Sequence, residues 1–377
     1  MSSINPANPA GARVAEPYRI GVMDDLPDAC GEPFIAGLRI AFDEYFENGV
    51  MDRPVELVER HYYGHPWRTG HPSVEAYLDL VDNEQVLAVA GPMTTDNCLS
   101  ILPLLDEKKV ASMGICGSQL YVGDYAFLLP NGGMADEPAT VSAWLKSKGL
   151  RSIALVRDYP SQIGEEYAYH LRHEVRMRGQ EIVMEQALSP VAPSDQVLVA
   201  LKRLREAAAD CLVYFGLGGL SGQLTDALKT LDWDPVRIMG TAFVGAAFSE
   251  VRCRAYDGWY GLEQFHEQNP VHLHALKLYE RTFGKPKPYL DSVFTCGYDM
   301  GRAYSIGIGR MRIATGTALR DGLETVTRLP AATGAPGTVI SFSRRDHRGF
   351  KGADYLFVRK SEGGKNIYVG TAPVEGS

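Results

Sequence analysis

The sequence predicts an α/β protein with two lobes, each built on a parallel sheet that helices cover. Two series of alternating strand and helix patterns indicate this, the first over residues 18–129 and the second over residues 137–239. Strands that alternate with helices form parallel sheets with both faces buried. A chain of 377 residues also has room for two or three domains of about 150 residues each.

The first series begins with a strand at residues 18–22 and a helix. Phe34, Leu38 and Phe42 recur in that helix at the spacing of one helical face. Gly49 follows at the position where glycine commonly ends a helix. The other elements predicted here are strands at 55–58, 86–90, 110–113 and 125–129, and helices at 74–81 and 96–107.

The second series repeats this rhythm and is followed by a change of pattern after residue 256. Its predicted helices are 137–148, 163–178, 194–208 and 220–231, and its strands are 152–156, 181–185, 211–215 and 236–239. The remainder predicts a strand ending at 263, helices near 270–283, 290–312 and 316–327, and strands at 338–342, 355–358 and 367–369.

Composition excludes several classes of function. The 46 acidic residues outnumber the 38 basic ones, which gives a net charge of −8, and no long basic run occurs. An acidic chain of this kind is a poor partner for nucleic acid. The longest nearly apolar stretch, residues 211–220, contains three glycines and is too short to span a bilayer. We therefore expect neither a nucleic-acid partner nor direct membrane insertion.

The first 17 residues are rich in Ser, Asn, Pro, Ala and Gly. They have no basic start and no apolar run of signal-peptide length, and they predict a flexible leader. The location that follows is cytoplasmic if this N-terminus is the native one, and periplasmic if a signal peptide has been removed.

The six cysteines form no CxxC pair, which excludes a zinc ribbon or a thioredoxin motif. Their even number permits disulfides, and the pairing stays open. Cys211 and Cys296 stand in apolar surroundings, so we expect both to be small buried residues.

Motifs for cofactors, metals and catalysis are incomplete. Residues 215–222 are similar to a dinucleotide fingerprint, but Ser221 takes the third glycine position and no acidic residue ends the next strand. His61, His65 and His71 share a loop with Gly and Pro, which is unlike a metal site on one helix face. No G-x-S-x-G elbow occurs. We expect no cofactor, no metal and no catalytic residue.

Four stretches, taken in their order and spacing, resemble the type I periplasmic solute-binding proteins of the branched-chain amino-acid and amide-binding branch. They are residues 34–45 (FIAGLRIAFDEY), 86–95 (VLAVAGPMTT), 109–118 (KVASMGICGS) and 337–342 (GTVISF), the last followed by Gly349. The first matches the family's first helix, the next two its strand-and-loop motifs, and the fourth its late glycine-and-phenylalanine segment. The resemblance spans about residues 18–370.

The resemblance implies two Rossmann-like lobes with parallel sheets, joined by a three-strand hinge. The first lobe would hold residues 18–132 and 266–338, and the second residues 136–262 and 343–377. The three crossings would lie near 131–135, 261–266 and 337–343. A ligand between the lobes would favour their closure, because it contacts both of them only when they meet.

Ligands in open parallel sheets bind beyond the carboxyl ends of the strands. The resemblance implies that the loops after the third and fourth strands hold the polar head of the ligand. The expected ligand-binding residues are Thr94, Thr95, Ile115, Cys116, Gly117, Ser118, Tyr159, Gly218, Phe243 and Tyr62. Two alternatives stay open: the threonines serve only as helix caps, and the aromatic loop at 61–67 is structural packing rather than a stacking platform.

The amino-acid binders that the chain resembles pair the ligand's ammonium with an acidic residue. At the corresponding position after the strand at 236–239, this sequence reads Gly-Thr-Ala-Phe. Because an isolated ammonium in a closed cleft needs a partner, a neutral amide or an aromatic compound fits better than an α-amino acid. The predicted function is the substrate-binding component of an ABC importer that works with a permease. The alternative is a cytoplasmic sensor of the amide-sensing type that acts through a partner protein.

Overall fold

A computed structural model of the chain describes residues 16–26, 30–247, 250–285 and 291–371. Nearly all of the predicted leader, and residues 372–377 of the predicted second lobe, lie outside these ranges. The elements in chain order are β1 (Tyr18–Asp24), α1 (Glu32–Glu47), β2 (Val55–His61), α2 (His71–Leu78), β3 (Ala88–Ala90), α3 (Thr95–Lys108), β4 (Ala111–Gly114), β5 (Ala126–Leu128), α4 (Asp136–Ser147), β6 (Ser152–Asp158), α5 (Gln162–Met177), β7 (Glu181–Leu188), α6 (Ser194–Glu206), β8 (Cys211–Phe215), α7 (Ser221–Thr230), β9 (Val236–Met239), α8 (Glu250–Ala255), β10 (Tyr260–Glu263), α9 (Pro270–Phe283), α10 (Asp291–Gly309), α11 (Gly316–Leu323), β11 (Leu329–Pro330), β12 (Val339–Ile340), β13 (Phe357–Glu362) and β14 (Lys365–Gly370).

The first five strands form one sheet in the order β2-β1-β3-β4-β5, and all of its pairings are parallel. Strands β3 and β4 are buried along their whole length. Burial of every residue, instead of every second one, is expected for central strands that are covered on both faces. This part of the fold agrees with the sequence prediction.

The second sheet has the order β14-β13-β10-β9-β8-β6-β7. Strands β6 to β10 pair in parallel, but β13 is antiparallel to both β10 and β14. The parallel part of this sheet agrees with the sequence prediction, and the C-terminal strands, whose direction was not predicted, make the sheet mixed. Strands β13 and β14 form a hairpin whose two-residue turn, Gly363 and Gly364, has φ values of 59° and 74°. Two residues with positive φ match the twist of a tight hairpin, and glycine adopts them without strain.

The helices that follow β10 return to the first sheet. Helix α10 packs directly on α1, and two glycines permit this close approach. A side chain at Gly37 would lie 2.4 Å from the carbonyl oxygen of Phe294, and one at Gly297 would lie 2.0 Å from that of Phe34. Any larger residue at either position would force the two helices apart.

The chain passes between the two sheets after β5, after β10, and between β12 and β13. Near the third passage, the backbone N–H of Leu128 donates to the carbonyl oxygen of His347 at 2.9 Å. The backbone N–H of Gly349 donates to the carbonyl oxygen of Leu128 at 2.8 Å. Residues 347–349 thus still lie beside β5, beyond the predicted crossing at 337–343. The exact division of the chain into lobes remains a prediction.

Two segments differ from the predicted elements. The strand predicted at 338–342 is reduced to β12, which pairs only with the two residues of β11. The stretch after β9, for which no helix was predicted, forms a 3₁₀ helix at Thr241–Ala247 and then α8. This second difference matters for function, because the 3₁₀ helix lies at the carboxyl end of the second sheet.

All six cysteines are buried and none forms a disulfide. Cys211 and Cys296 are buried among apolar neighbours, as expected.

Candidate functional site

A cavity of about 170 Å³ lies where the carboxyl ends of the two sheets face each other. From the loops of the first sheet it is lined by Leu26, Trp67, Met93, Thr94, Thr95, Ile115 and Gly117. From the second sheet and helix α5 it is lined by Ile163, Tyr167, Gly216, Leu217, Gly218, Gly219, Thr241, Ala242, Val244, Gly245 and Tyr256. Asn131, Met134, Val293 and Cys296 complete the lining.

The lining combines apolar side chains with hydroxyl and amide groups, and none of its described residues carries a formal charge. Asn131 contributes an amide whose Oδ1 is buried and has no hydrogen-bond partner among the described residues. A buried acceptor without a partner is unfavourable, so this atom is available for a donor on a bound molecule.

The loop between β3 and α3 is organised by Asp25, an acidic residue that the sequence analysis did not single out. Its buried carboxylate accepts hydrogen bonds from the backbone N–H groups of Met93 at 2.7 Å and Thr94 at 3.1 Å. It also accepts from the hydroxyl of Thr94 at 2.5 Å and the side-chain amide of Asn97 at 2.7 Å. Burial raises the pKa of Asp25. The hydroxyl hydrogen of Thr94 is therefore taken up by the hydrogen bond to Asp25.

Thr95 differs from its neighbour in what it offers. Thr94 is the N-cap residue of α3, but its side chain makes no capping hydrogen bond. Thr95 is the first helical residue, it lines the cavity, and its hydroxyl forms no hydrogen bond within the described residues. The free N–H groups at a helix N-terminus also attract electronegative atoms. This end of α3 therefore presents a hydroxyl and a helix N-terminus to the cavity, and the side chain of Thr94 does not cap the helix.

Of the predicted ligand-binding residues in the loop after β4, some line the cavity and others do not. Ile115 and Gly117 line the cavity, whereas Cys116 is fully buried and does not. Ser118 does not line it either, because its hydroxyl donates to Glu166 of α5 at 2.5 Å. The backbone N–H of Gln119 donates to the same carboxylate at 2.8 Å.

A further hydrogen bond joins the two sides of the cleft. The backbone N–H of Gln162, at the start of α5, donates to Asp96 at the start of α3 at 2.9 Å. The bonds from Ser118, Gln119 and Gln162 hold α5 against the loops of the first sheet. Ser118, Gln162 and Asp96 each adjoin a residue of the cavity lining, so these bonds link the two sides of the cleft beside the cavity.

On the remaining walls, only Gly218 of the predicted residues lines the cavity. Phe243 is fully buried because it packs edge-on against Tyr256 in the core beneath the 3₁₀ helix. Tyr159 is half-exposed and lies under the guanidinium of Arg157 at 5.4 Å. Tyr62 does not reach the lining, but Trp67 of the same aromatic loop does. The structure thus brings together Thr94, Thr95, Ile115, Gly117 and Gly218, and it does not bring Cys116, Ser118, Tyr159, Phe243 or Tyr62 to the cavity.

A family model of periplasmic binding proteins matches residues 17–365, nearly the whole chain. The chain belongs to the periplasmic binding protein family. The resemblance stated from the four sequence stretches is confirmed, and the family is one of non-catalytic solute-binding proteins. No curated protein matches this periplasmic binding protein.

Solved structures with the same fold are distant in sequence. The branched-chain amino acid transporter substrate binding protein LivJ from Streptococcus pneumoniae, in complex with isoleucine, is 18% identical, with a TM-score of 0.79 over 94% of this chain and 100% of that one. A type 1 periplasmic binding protein from Bordetella pertussis is 15% identical, with a TM-score of 0.81 over 94% and 100% of the two chains. An ABC transporter substrate-binding protein from Desulfitobacterium hafniense, in complex with Leu, is 16% identical, with a TM-score of 0.76 over the same shares. At these identities the likeness shows the fold alone.

Behind the cavity wall, this periplasmic binding protein holds a buried carboxyl group that the sequence analysis missed. Glu137 of α4 is fully buried, and it accepts hydrogen bonds from the hydroxyl of Tyr167 and from the backbone N–H of Thr241 at 2.6 Å. Burial raises the pKa of Glu137 to about 8. Because Tyr167 and Thr241 line the cavity, Glu137 is one side chain removed from it.

A second cavity of about 290 Å³ adjoins the first and shares Thr94, Ile163 and Leu217 with it. Its other lining residues are His65, Pro66, Arg68, Asp96, Asp158, Pro160, Ser161, Ser189 and Pro190. Asp158 accepts from Tyr214 at 3.0 Å and from the N–H of Leu217 at 2.8 Å, and burial raises its pKa to about 7. The charged side chains of the cleft thus lie in this second cavity, outside the first one.

The part of the chain that the structure describes contains neither a metal-binding cluster nor a membrane-spanning helix. No group of three or more His, Cys, Asp or Glu side chains is placed to hold a metal ion there. None of the described helices is both long and apolar enough to cross a membrane.

Proposed function

We propose that this periplasmic binding protein is the substrate-binding component of an ABC-type importer, and that it binds a small uncharged molecule in the first cavity. An amide or an aromatic compound is favoured over an α-amino acid. The uncharged lining of the cavity is the main support for this ligand class. An α-amino acid would bring an ammonium and a carboxylate into it, and a buried charge without a partner is strongly unfavourable.

The polar groups of the lining support an amide in particular. The hydroxyl of Thr95 and the N–H groups at the start of α3 can donate to a carbonyl oxygen. The unpaired Oδ1 of Asn131 can accept from an amide N–H. Met93, Ile115 and Leu217 provide apolar surface for the body of the ligand.

The transport role rests on the family and on the fold. Among the solved structures of the same fold, the proteins from Streptococcus pneumoniae and Desulfitobacterium hafniense are both described as transporter substrate-binding proteins. A closed cleft with hydrogen bonds across it is also the arrangement that a carrier needs to hold its cargo until it meets a permease.

A thermal-shift screen tests the ligand class. The panel contains short amides, urea, benzamide, aromatic acids, α-amino acids, small sugars and nucleosides. A compound that binds only the folded protein stabilises it by about 2.7 kcal/mol at a hundredfold excess over Kd. We expect shifts with amides or aromatic compounds. Shifts with α-amino acids alone would contradict the proposal.

The Asn131→Ala variant then locates the binding site. It should weaken the binding of any amide found in the screen by about three- to tenfold, as one hydrogen bond is lost. Thr230→Ala is the matched control for a polar side chain outside the cavity, because Thr230 is exposed and bonds only within its own helix.

Uptake of the identified compound by cells separates the importer from the sensor. Deletion of the gene should abolish high-affinity uptake if the protein serves an importer. Unchanged uptake together with altered gene expression would instead indicate a sensor that acts through a regulatory partner.

A further inference from the structure

The buried carboxyl of Glu137 lies directly behind the proposed ligand site. This inference rests on the proposed function, since it takes the first cavity as the ligand site. Glu137 is fully buried and does not line the cavity. It reaches the cavity only through Tyr167 and Thr241, both of which line it.

The hydrogen atoms around this carboxyl can be counted. The hydroxyl of Thr241 lies 2.9 Å from Oε1 of Glu137 and also 2.9 Å from the carbonyl oxygen of Asn131. A hydroxyl has one hydrogen to donate, so only one of these contacts can take it. The contact between Oε1 of Glu137 and the hydroxyl of Tyr167 likewise holds one hydrogen, which either the tyrosine or a protonated Glu137 can provide. Burial, which raises the pKa of Glu137 to about 8, makes that proton available at neutral pH.

The proton on Glu137 changes what Tyr167 offers to the cavity. An ionised Glu137 is a strong acceptor and holds the hydroxyl hydrogen of Tyr167. A protonated Glu137 donates its own hydrogen to the hydroxyl oxygen of Tyr167 across this same contact. The hydroxyl of Tyr167 is then free to donate to a ligand.

We propose that Glu137 is a positioning residue that sets the hydrogen-bond polarity of the ligand site through Tyr167. While Glu137 keeps its proton, the site offers a donor to an uncharged ligand with a carbonyl oxygen. When Glu137 loses its proton, that donor is withdrawn and the affinity falls. A ligand with an ammonium group would show the opposite dependence, because a cation stabilises the ionised carboxylate.

The other titratable groups near Glu137 come from three elements. Tyr167 belongs to α5, Tyr355 precedes β13, and Asp136 is the neighbour of Glu137 on α4. Burial raises the pKa of both tyrosines, so both stay neutral at physiological pH. Burial also raises the pKa of Asp136, against the effect of Arg348 and His170. A substitution at Glu137 alone removes the titration of Glu137 and leaves that of Asp136 in place, so the effects of the two groups can be distinguished.

Benzamide is a suitable probe, because it carries a carbonyl oxygen and no charge. Its affinity is measured by calorimetry at pH 6.5 and pH 9.5 for the wild type, Glu137→Gln and Tyr214→Phe. The wild type should bind about three- to tenfold more weakly at the higher pH, the effect of one hydrogen bond. Glu137→Gln, which cannot ionise, should bind equally at both pH values. Tyr214→Phe, which removes a tyrosine from the other buried acid, Asp158, should keep the wild-type dependence.

Several results would overturn the inference. The wild type could bind benzamide with equal affinity at both pH values, or with an affinity that rises with pH. Glu137→Gln could also lose as much affinity for benzamide at pH 9.5 as the wild type does. If benzamide fails to bind the wild type at either pH, benzamide is not a ligand, and the outcome of the thermal-shift panel decides on the ligand class. Infrared spectroscopy then decides on Glu137 alone: the difference spectrum between the wild type and Glu137→Gln should contain a protonated carboxyl band at pH 6.5 and lose it at pH 9.5. Absence of this band from the difference spectrum at pH 6.5 would refute the role of the proton.

Discussion

Thr94 and Thr95 show how two adjacent residues of one type take different functions. Thr94 has its hydroxyl bonded to the buried carboxylate of Asp25, and Thr95 has its hydroxyl free at the cavity. The first residue thus builds the loop, and the second is available to a ligand.

Substitution of each threonine should have a distinct effect. Thr95→Ala should weaken ligand binding by about three- to tenfold, because one hydrogen bond to the ligand is lost, and should leave stability unchanged. Thr94→Ala should lower the free energy of unfolding by about 1–3 kcal/mol, because a buried carboxylate loses a donor. Urea denaturation and calorimetry measure the two quantities. A loss of stability in Thr95→Ala as large as in Thr94→Ala would contradict this division.

Sequence reasoning found the cavity residues that depend on local position and missed those that depend on distant contacts. Ile115, Gly117 and Gly218 were predicted because they lie in loops at the carboxyl ends of predicted strands, and for the first two the family resemblance also implied contact with the ligand. Glu137 was missed because its partners, Tyr167 and Thr241, lie 30 and 104 residues further along the chain. No local sequence pattern predicts such a contact.

At the level of elements, helix α5 is held to the first sheet by hydrogen bonds across the cleft. Ser118 was predicted to contact the ligand, but its hydroxyl bonds to Glu166. Its effect on binding is therefore expected to come from cleft closure.

Ser118→Ala should weaken ligand binding by about two- to tenfold, because the closed arrangement loses one of its hydrogen bonds. Small-angle scattering should show a more expanded ligand-free protein than the wild type. Ser147→Ala, at an exposed serine that bonds only within its own helix, serves as the control. An unchanged affinity in Ser118→Ala would show that this bond does not contribute to closure.

The elements themselves were predicted well where the pattern is regular. The alternating strands and helices up to β9 appear with shifts of a few residues at their ends. The hairpin of β13 and β14 escaped prediction as an antiparallel pair, although Gly363-Gly364 between the two strands is a turn signal. The 3₁₀ helix at Thr241–Ala247 has no periodic pattern, so its position at the cavity could come only from the structure.

For the whole molecule, the buried acids determine how stability depends on pH. Burial raises the pKa of Glu137 to about 8 and that of Asp158 to about 7. In the unfolded chain both return to about 4, so between these values the folded protein binds more protons than the unfolded one. The free energy of unfolding should then decrease as the pH rises from about 5 to 8, by at most about 1.4 kcal/mol per pH unit for each group.

Urea denaturation at pH 5.5, 7 and 8.5 checks this dependence. The Glu137→Gln/Asp158→Asn double variant should show a flatter profile, because neither amide titrates. A wild type whose stability increases steadily over this range would show that these carboxyls are ionised in the folded protein well below pH 7.

The uncharged cavity also affects the kinetics of ligand capture. The chain carries a net charge of −8 and would attract or repel charged solutes over long distances, more strongly at low ionic strength. An uncharged solute does not experience this field. Its rate of association is therefore governed by diffusion and by the opening of the cleft, and it should stay constant across salt concentrations that would slow or accelerate the capture of an ion.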